Sequence, residues 1–164
     1  MIQFKLAETN SDFQKIAILA KEIWTEHYTS IIGIEQVNYM LDKFQSQKSI
    51  EKQVKGDKYK YYIILNKNTS IGYLSIKKNE NALFLSKIYL DKSCRGKGFG
   101  KTAMNFIEKQ AKNLNCKTIY LTVNKYNTNS IKAYKKIGFI TVEELVIDIG
   151  NDYIMDDFKM EKSI

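Results

Sequence analysis

The chain has 164 residues, 44% of them hydrophobic and 27% charged, and carries a formal charge of +8. That length suits one domain over residues 1–164, and no apolar run approaches the roughly 20 residues that cross a bilayer. The lysines are scattered, with no basic arm, helix-turn-helix or zinc-finger spacing, so an anionic cofactor is expected and nucleic acid is not.

Residues 1–8 turn acidic too soon for a secretory signal and read as a first strand, which leaves the cytoplasm as the expected compartment. From 11 to 28, Phe13, Ile16, Leu19, Ala20, Ile23, Trp24 and then His27 or Tyr28 recur at helical spacing. Ser11 followed by Gln14 resembles a capping box. Gly33 breaks the pattern, a shorter helix with Val37, Met40, Leu41 and Phe44 follows, and 49–55 adds a turn or two. Three β-rich runs at 59–65, 70–77 and 83–90 then predict an antiparallel meander. A glycine-rich segment leads into a helix with the stripe Phe99, Ala103, Phe106, Ile107, Ala111 and Leu114. A strand at 119–123, a helix at 127–137 and closing strands at 139–149 and 153–160 complete the chain. The order β-α-α-β-β-β-α-β-α-β-β describes an α/β domain, a mixed sheet with helices on its faces.

The segment Arg95-Gly96-Lys97-Gly98-Phe99-Gly100 sits between a hydrophobic strand and an amphipathic helix. A helix N-terminus offers unpaired N–H groups and the positive end of its dipole, both suited to phosphate. Glycines let the backbone approach closely and adopt dihedrals closed to other residues. Arg95, Lys97 and Lys101 add positive charge at the same point. The Gly-Lys-Ser/Thr ending of a nucleotide P-loop is missing. A tight strand-to-helix connection with solvated lysines accounts for the same residues, and the loop alone leaves both readings open. Cys94 and Cys116 stand in no metal-ligand spacing, so reduced thiols and no metal are expected.

Arg95, Gly98 and Gly100, after a strand ending near Ile88, Tyr89 and Leu90, resemble the Arg/Gln-x-x-Gly-x-Gly/Ala signature of the GNAT superfamily of acetyl-CoA-dependent N-acetyltransferases. Asn127, Ser130, Tyr134, Gly138 and Phe139 resemble that superfamily's Asn-x-x-Ala-x-x-x-Tyr-x-x-x-Gly-Phe element, with serine in the alanine position. Residues 23–28, with Tyr39, Met40, Leu41 and Phe44, are similar to its polyamine-acetylating, PaiA-type subgroup. The resemblance implies a GNAT-like fold, a mixed, mostly antiparallel central sheet flanked by helices. It also implies acetyl-CoA as cofactor and direct transfer to a small-molecule amine, with a polyamine such as spermidine or spermine the leading candidate. Backbone N–H groups of Gly96, Gly98, Gly100 and Lys101 would hold the pyrophosphate, with Arg95 and Lys97 beside them. The pantetheine arm would run along Ile88, Tyr89 and Leu90, where the fourth and fifth strands would splay. Asn127 would contact that arm or cap its helix, and the Tyr134 hydroxyl would face the sulfur. Dimers are frequent in such a family, so a homodimer is also a candidate, with the β-rich C-terminal segment at its edge.

Chemistry gives some of these roles a second footing. Attack by an amine on a thioester expels a thiolate, which a phenol such as Tyr134 can protonate; a tyrosine on the stripe Ile131, Tyr134 and Ile137 also suits a core position. The backbone N–H of Leu90 or Tyr89 would steady the oxyanion. The amine must first lose a proton, yet Phe84 and Ser86 stand where relatives often carry a glutamate. Glu26 and His27 are the substitute bases, and Trp24, Tyr28 and Glu35 the expected acceptor contacts. Glu22, Glu26, Glu35 and Asp42 make the first half locally acidic, which favours a cationic acceptor. Acetylation of a protein N-terminus or lysine, and coenzyme A binding without turnover, are the competing readings.

Overall fold

The computed structural model describes residues 1–164, and its backbone divides into two compact units. Residues 1–77 and 85–107 form the first, and residues 78–84 and 108–164 the second. The strands are β1 (Ile2–Leu6), β2 (Lys60–Asn66), β3 (Thr69–Asn79), β4 (Ala82–Leu90), β5 (Thr118–Asn124), β6 (Ile140–Gly150) and β7 (Tyr153–Ser163). The helices are α1 (Asn10–Ile32), α2 (Ile34–Phe44), α3 (Gln47–Lys55), α4 (Phe99–Asn113) and α5 (Thr128–Lys136). Strands follow the order β1-β2-β3-β4-β5-β7-β6. β4 pairs with β5 in parallel, whereas β1–β2, β2–β3, β5–β7 and β6–β7 are antiparallel. The sheet is therefore mixed and mostly antiparallel, as expected. No helix is long and apolar enough to cross a membrane.

In the first unit, Phe13, Ile16, Ala20, Ile23 and Trp24 lie three or four residues apart on α1 and turn one face inward. They pack with Val37, Ile50, Tyr61, Ile63 and Tyr73. Residues 61–64 of β2 are all buried, because the helices cover one face and Phe106 of α4 covers Tyr62 and Phe4 on the other. A strand buried on both sides reads as an unbroken apolar run rather than an alternating one.

The start of α1 differs from the expected Ser11–Gln14 box. Thr9 is the cap: its hydroxyl accepts the Asp12 N–H, and the Asp12 carboxylate accepts the Thr9 and Glu8 N–H groups. The Thr-x-x-Asp frame wins because the aspartate also accepts a bond from the Lys5 ammonium at 2.8 Å. Burial opposes ionisation of Asp12, but the Glu8 amide, the Lys5 ammonium and Thr9 together outweigh it and hold the carboxyl well below its ordinary range. A group ionised more readily when folded contributes stability that is lost as pH falls towards its folded value. Unfolding midpoints should therefore decline on acidification below about pH 4, and less steeply in Asp12→Asn, whose starting stability is lower. Parallel curves for both proteins in chemical denaturation would remove Asp12 from the account.

Helix α1 also runs on to Ile32, ending where Gly33 takes φ +84°. The expected turn or two after α2 is a full third helix, α3. Ser46 caps it, Ile50 is fully buried, and Gln53 accepts the Tyr61 hydroxyl at 2.6 Å. Gln45 ties the same cluster, donating to Tyr61 at 3.0 Å and accepting from the Tyr73 hydroxyl at 2.6 Å. Burial pushes the Tyr61 phenol up to about 12 and the Tyr73 phenol well above its ordinary value, so both stay neutral donors.

In the second unit, β7 lies between β5 and β6. Ile119, Leu121, Val123 and Met160 supply its core with Phe139, which is 1% exposed. Registered pairing of β4 with β5 covers only 82–84 against 118–120, although β4 continues to Leu90 and β5 to Asn124.

Candidate active site

The glycine segment begins where β4 ends. Gly72 of β3 stands under that end, and a Cβ there would lie 2.1 Å from the Tyr89 carbonyl oxygen. Only glycine admits this approach of two backbones. The Asp91 N–H completes it by donating to Ile71 at 2.8 Å.

Asp91 then sets the turn, its carboxylate accepting both the N–H and the hydroxyl of Ser93 at 2.9 and 2.6 Å. Those bonds from Ser93 hold the Asp91 carboxyl below its ordinary value. A short 3-10 turn, Lys92–Cys94, follows. Gly96 and Gly98 have φ of +75° and +81°, while Gly100 already lies in the first turn of α4. The Gly98 carbonyl accepts the Thr102 N–H, so Gly98 occupies the cap position of α4. Gly98 and Gly100 are solvent-exposed, as are Lys97 and Lys101. Two left-handed glycines followed by the unpaired first amides of a helix form an anion cradle with lysines at its rim. These residues fit a pyrophosphate.

Arg95 is engaged differently from a free phosphate ligand. Its Nε donates to the Leu90 carbonyl at 3.2 Å, and its guanidinium meets Glu26 of α1 at 3.1 Å. Lys92 stands 3.8 Å from the same carboxylate. Glu26 therefore ties the end of α1 to the glycine segment, a role its sequence position does not reveal. Such half-exposed pairs hold geometry more than they stabilise the fold, at about 0–1 kcal/mol each.

Tyr89 joins the same region from β4. Its hydroxyl lies 3.0 Å from that of Tyr28, and its ring contacts Trp24 and Tyr73. His27 packs edge-on against Tyr28 at 4.7 Å. Trp24 itself is 3% exposed within the core, so it supports the tyrosine rings from behind instead of meeting an acceptor. That corrects its expected place among the acceptor contacts, since a ring at helical spacing with Phe13, Ile16 and Ile23 packs with them. Ile88 and Leu90 are half-buried along β4 beside Tyr89, and Glu35 is exposed in the first turn of α2. The structure thus brings together Glu26, His27, Tyr28, Tyr89, Leu90 and Arg95.

Asn127 and Tyr134 belong to the second unit. Asn127 occupies the cap position of α5 and is 5% exposed, yet its side chain makes no capping bond. Its carbonyl accepts the Ile131 N–H at 3.1 Å, so it caps the helix through its backbone. The Tyr134 carbonyl accepts the N–H groups of Ile137 and Phe139, and its half-buried ring packs on Phe139 at 5.7 Å. Gly138, at φ +104°, makes the sharp exit from the helix possible.

A sequence profile of the acetyltransferase (GNAT) family matches residues 19–139. A PaiA N-acetyltransferase from Thermoplasma acidophilum, solved in complex with coenzyme A, superposes with a TM-score of 0.83 at 23% identity, covering 100% of this chain and 99% of that one. A spermidine N(1)-acetyltransferase of Thermoplasma acidophilum is 26% identical over 88% of this chain and 90% of its own. A probable spermine N(1)-acetyltransferase of Bacillus subtilis subsp. natto is 35% identical over 47% of this chain and 51% of its own.

Proposed function

Because the chain belongs to the acetyltransferase (GNAT) family, and so transfers an acetyl group from acetyl-CoA to an amine, we propose that its acceptor is a primary amine of a small polycation such as spermidine or spermine. The observation that carries this reading is Glu26. Its carboxylate meets two cations of this chain, Arg95 and Lys92, beside Tyr28 and Tyr89. A second ammonium on a polyamine would take the place of one of these cations at the half-exposed carboxylate. Relatives that act on spermidine and spermine support it, as do the exposed acids Glu22, Glu35 and Asp42. An acetyl-CoA-dependent enzyme with two free cysteines also suits the cytoplasm.

Bound acetyl-CoA supplies a thioester activated for attack. The amides of Gly96, Gly98, Gly100 and Lys101 would hold its pyrophosphate, and Ile88, Tyr89 and Leu90 would line the arm. The N–H of Tyr89 or Leu90 would steady charge developing on its carbonyl oxygen. Glu26 or His27 would take the proton from the amine, and the Tyr134 hydroxyl would return one to the departing sulfur.

Thiol release from acetyl-CoA should be followed against polyamines, simple alkylamines, aminoglycosides and peptides. Spermidine or spermine is expected to exceed a monoamine of similar length in kcat/KM, and the rate to rise with pH until the amine is deprotonated. Glu26→Gln should raise KM more for the polyamine than for the monoamine. A peptide better than both by an order of magnitude would replace the polyamine reading, and cofactor binding without turnover on any amine would replace catalysis.

A further inference from the structure

The guanidinium of Arg95 joins two segments that are remote in the chain. Its Nε donates at 3.2 Å to the carbonyl of Leu90, the last residue of β4. Its Nη2 donates at 3.1 Å to Glu26 Oε2, 69 residues away in α1. Nε and Nη2 lie side by side on one edge of the planar group, an edge that can grip a phosphate through two parallel bonds. Here that edge holds a carbonyl and a carboxylate instead. The end of β4 is held from β3 as well. A Cβ on Gly72 would lie 2.1 Å from the Tyr89 carbonyl oxygen, and the Asp91 N–H donates to Ile71 at 2.8 Å. The Tyr28 and Tyr89 hydroxyls, 3.0 Å apart, make a second tie between the end of α1 and the end of β4.

We propose that Arg95 is a positioning residue for acetyl transfer and not a ligand of the pyrophosphate. It sets the end of α1, where Glu26, His27 and Tyr28 would receive the amine, against the end of β4, where Tyr89 and Leu90 would line the thioester. Positive charge at the glycine cradle falls to Lys97 and Lys101, both exposed. Lys92 stands 3.8 Å from Glu26 and is 76% exposed, against 3.1 Å and 37% for Arg95. An incoming ammonium would therefore displace Lys92 and leave the Arg95 tie in place. A lysine at position 95 would keep the charge but lose the fork. Its ammonium is a point donor on a flexible stem and cannot hold a carbonyl and a carboxylate in one plane. Nucleophile and thioester must meet in near-attack geometry, and a misplacement of about 1 Å costs on the order of a hundred-fold in rate. The assignment rests on the reading that the amine is received beside Glu26 and Tyr28, whichever amine it is.

Arg95→Lys and Arg95→Gln separate the two roles. In calorimetry both should bind coenzyme A within about three-fold of the wild type and with the same salt dependence, because neither removes a cation that faces phosphate. Both should lose roughly ten- to a hundred-fold in kcat/KM for the amine. The loss should be the same with spermidine and with a monoamine, so a failed preference for polyamines leaves the assignment in place. Unfolding midpoints should stay close to the wild type, since half-exposed pairs stabilise little. Combining Glu26→Gln with Arg95→Lys should cost little more than the worse of the two, since they act through one contact. Losses that multiply, or wild-type kcat/KM in Arg95→Lys beside an impaired Glu26→Gln, overturn the assignment alone. Glu26→Gln without effect on any amine would remove the acceptor reading and this assignment with it. Coenzyme A binding weakened about ten-fold or more in Arg95→Gln and regained in Arg95→Lys would make Arg95 a phosphate ligand after all.

Discussion

Gly98→Val is expected to abolish coenzyme A binding while leaving a folded protein. Gly98 has φ +81°, and a Cβ there would meet nothing within 4 Å, so the penalty is conformational rather than a clash. The left-handed region costs a residue with a side chain about 1–2 kcal/mol, and more when it is β-branched. An exposed segment escapes that strain by turning to negative φ, which aims the amides of the cradle elsewhere. Binding should fall by at least roughly a hundred-fold in calorimetry, because several N–H donors are displaced together. The unfolding midpoint should drop only a few degrees, as expected of ~1–2 kcal/mol in a chain of this size. Gly100→Ala is the control. Its backbone is already helical and the space beside it is open, so alanine should fold normally. A folded Gly98→Val protein with wild-type affinity would defeat the cradle.

Tyr134→Phe is expected to lower kcat by roughly ten- to a thousand-fold, with coenzyme A affinity nearly unchanged. The phenyl ring keeps the edge-on contact with Phe139, and the backbone bonds of the α5 exit do not involve the hydroxyl. Stability should therefore hold. On the proposed role, the variant lacks a proton donor for the thiolate, so the deficit should shrink with acyl donors whose thiol is more acidic, since a better leaving group needs less help. A purely structural tyrosine would show no such dependence. Wild-type kcat under conditions where chemistry limits the rate would leave Tyr134 a packing residue.

Where local chemistry decided the outcome, reading was sound. The β-rich runs became β2, β3 and β4, and the stripe from Phe99 to Ala111 became α4, because residue preference and helical spacing are local. Gly98 was legible as a glycine that a turn requires, and Gly138 as part of the second family element. Misreadings came where partners are distant. Ser11–Gln14 looked like the cap of α1, but Lys5, brought alongside by β1, favours the frame of Thr9 and Asp12. Trp24 looked like an acceptor contact, and the aromatic cluster of Tyr28, Tyr73 and Tyr89 claims it for the core.

The sequence by itself determined the kind of protein: the order of elements, a glycine segment opening a helix, and a second motif ending in Gly138 and Phe139. These are short-range features, set by dihedral freedom, hydrophobic period and residues within a few positions of each other. Only the tertiary structure decided what lies beside the segment. Gly72 carries no local mark of need; the Tyr89 carbonyl 2.1 Å from its missing Cβ supplies one. Glu26 reads as a surface acid until folding brings it within 3.1 Å of Arg95, 69 residues away. The charge and the backbone space that shape the site belong to pairs far apart in the chain, and their meeting is fixed by the sheet that carries them.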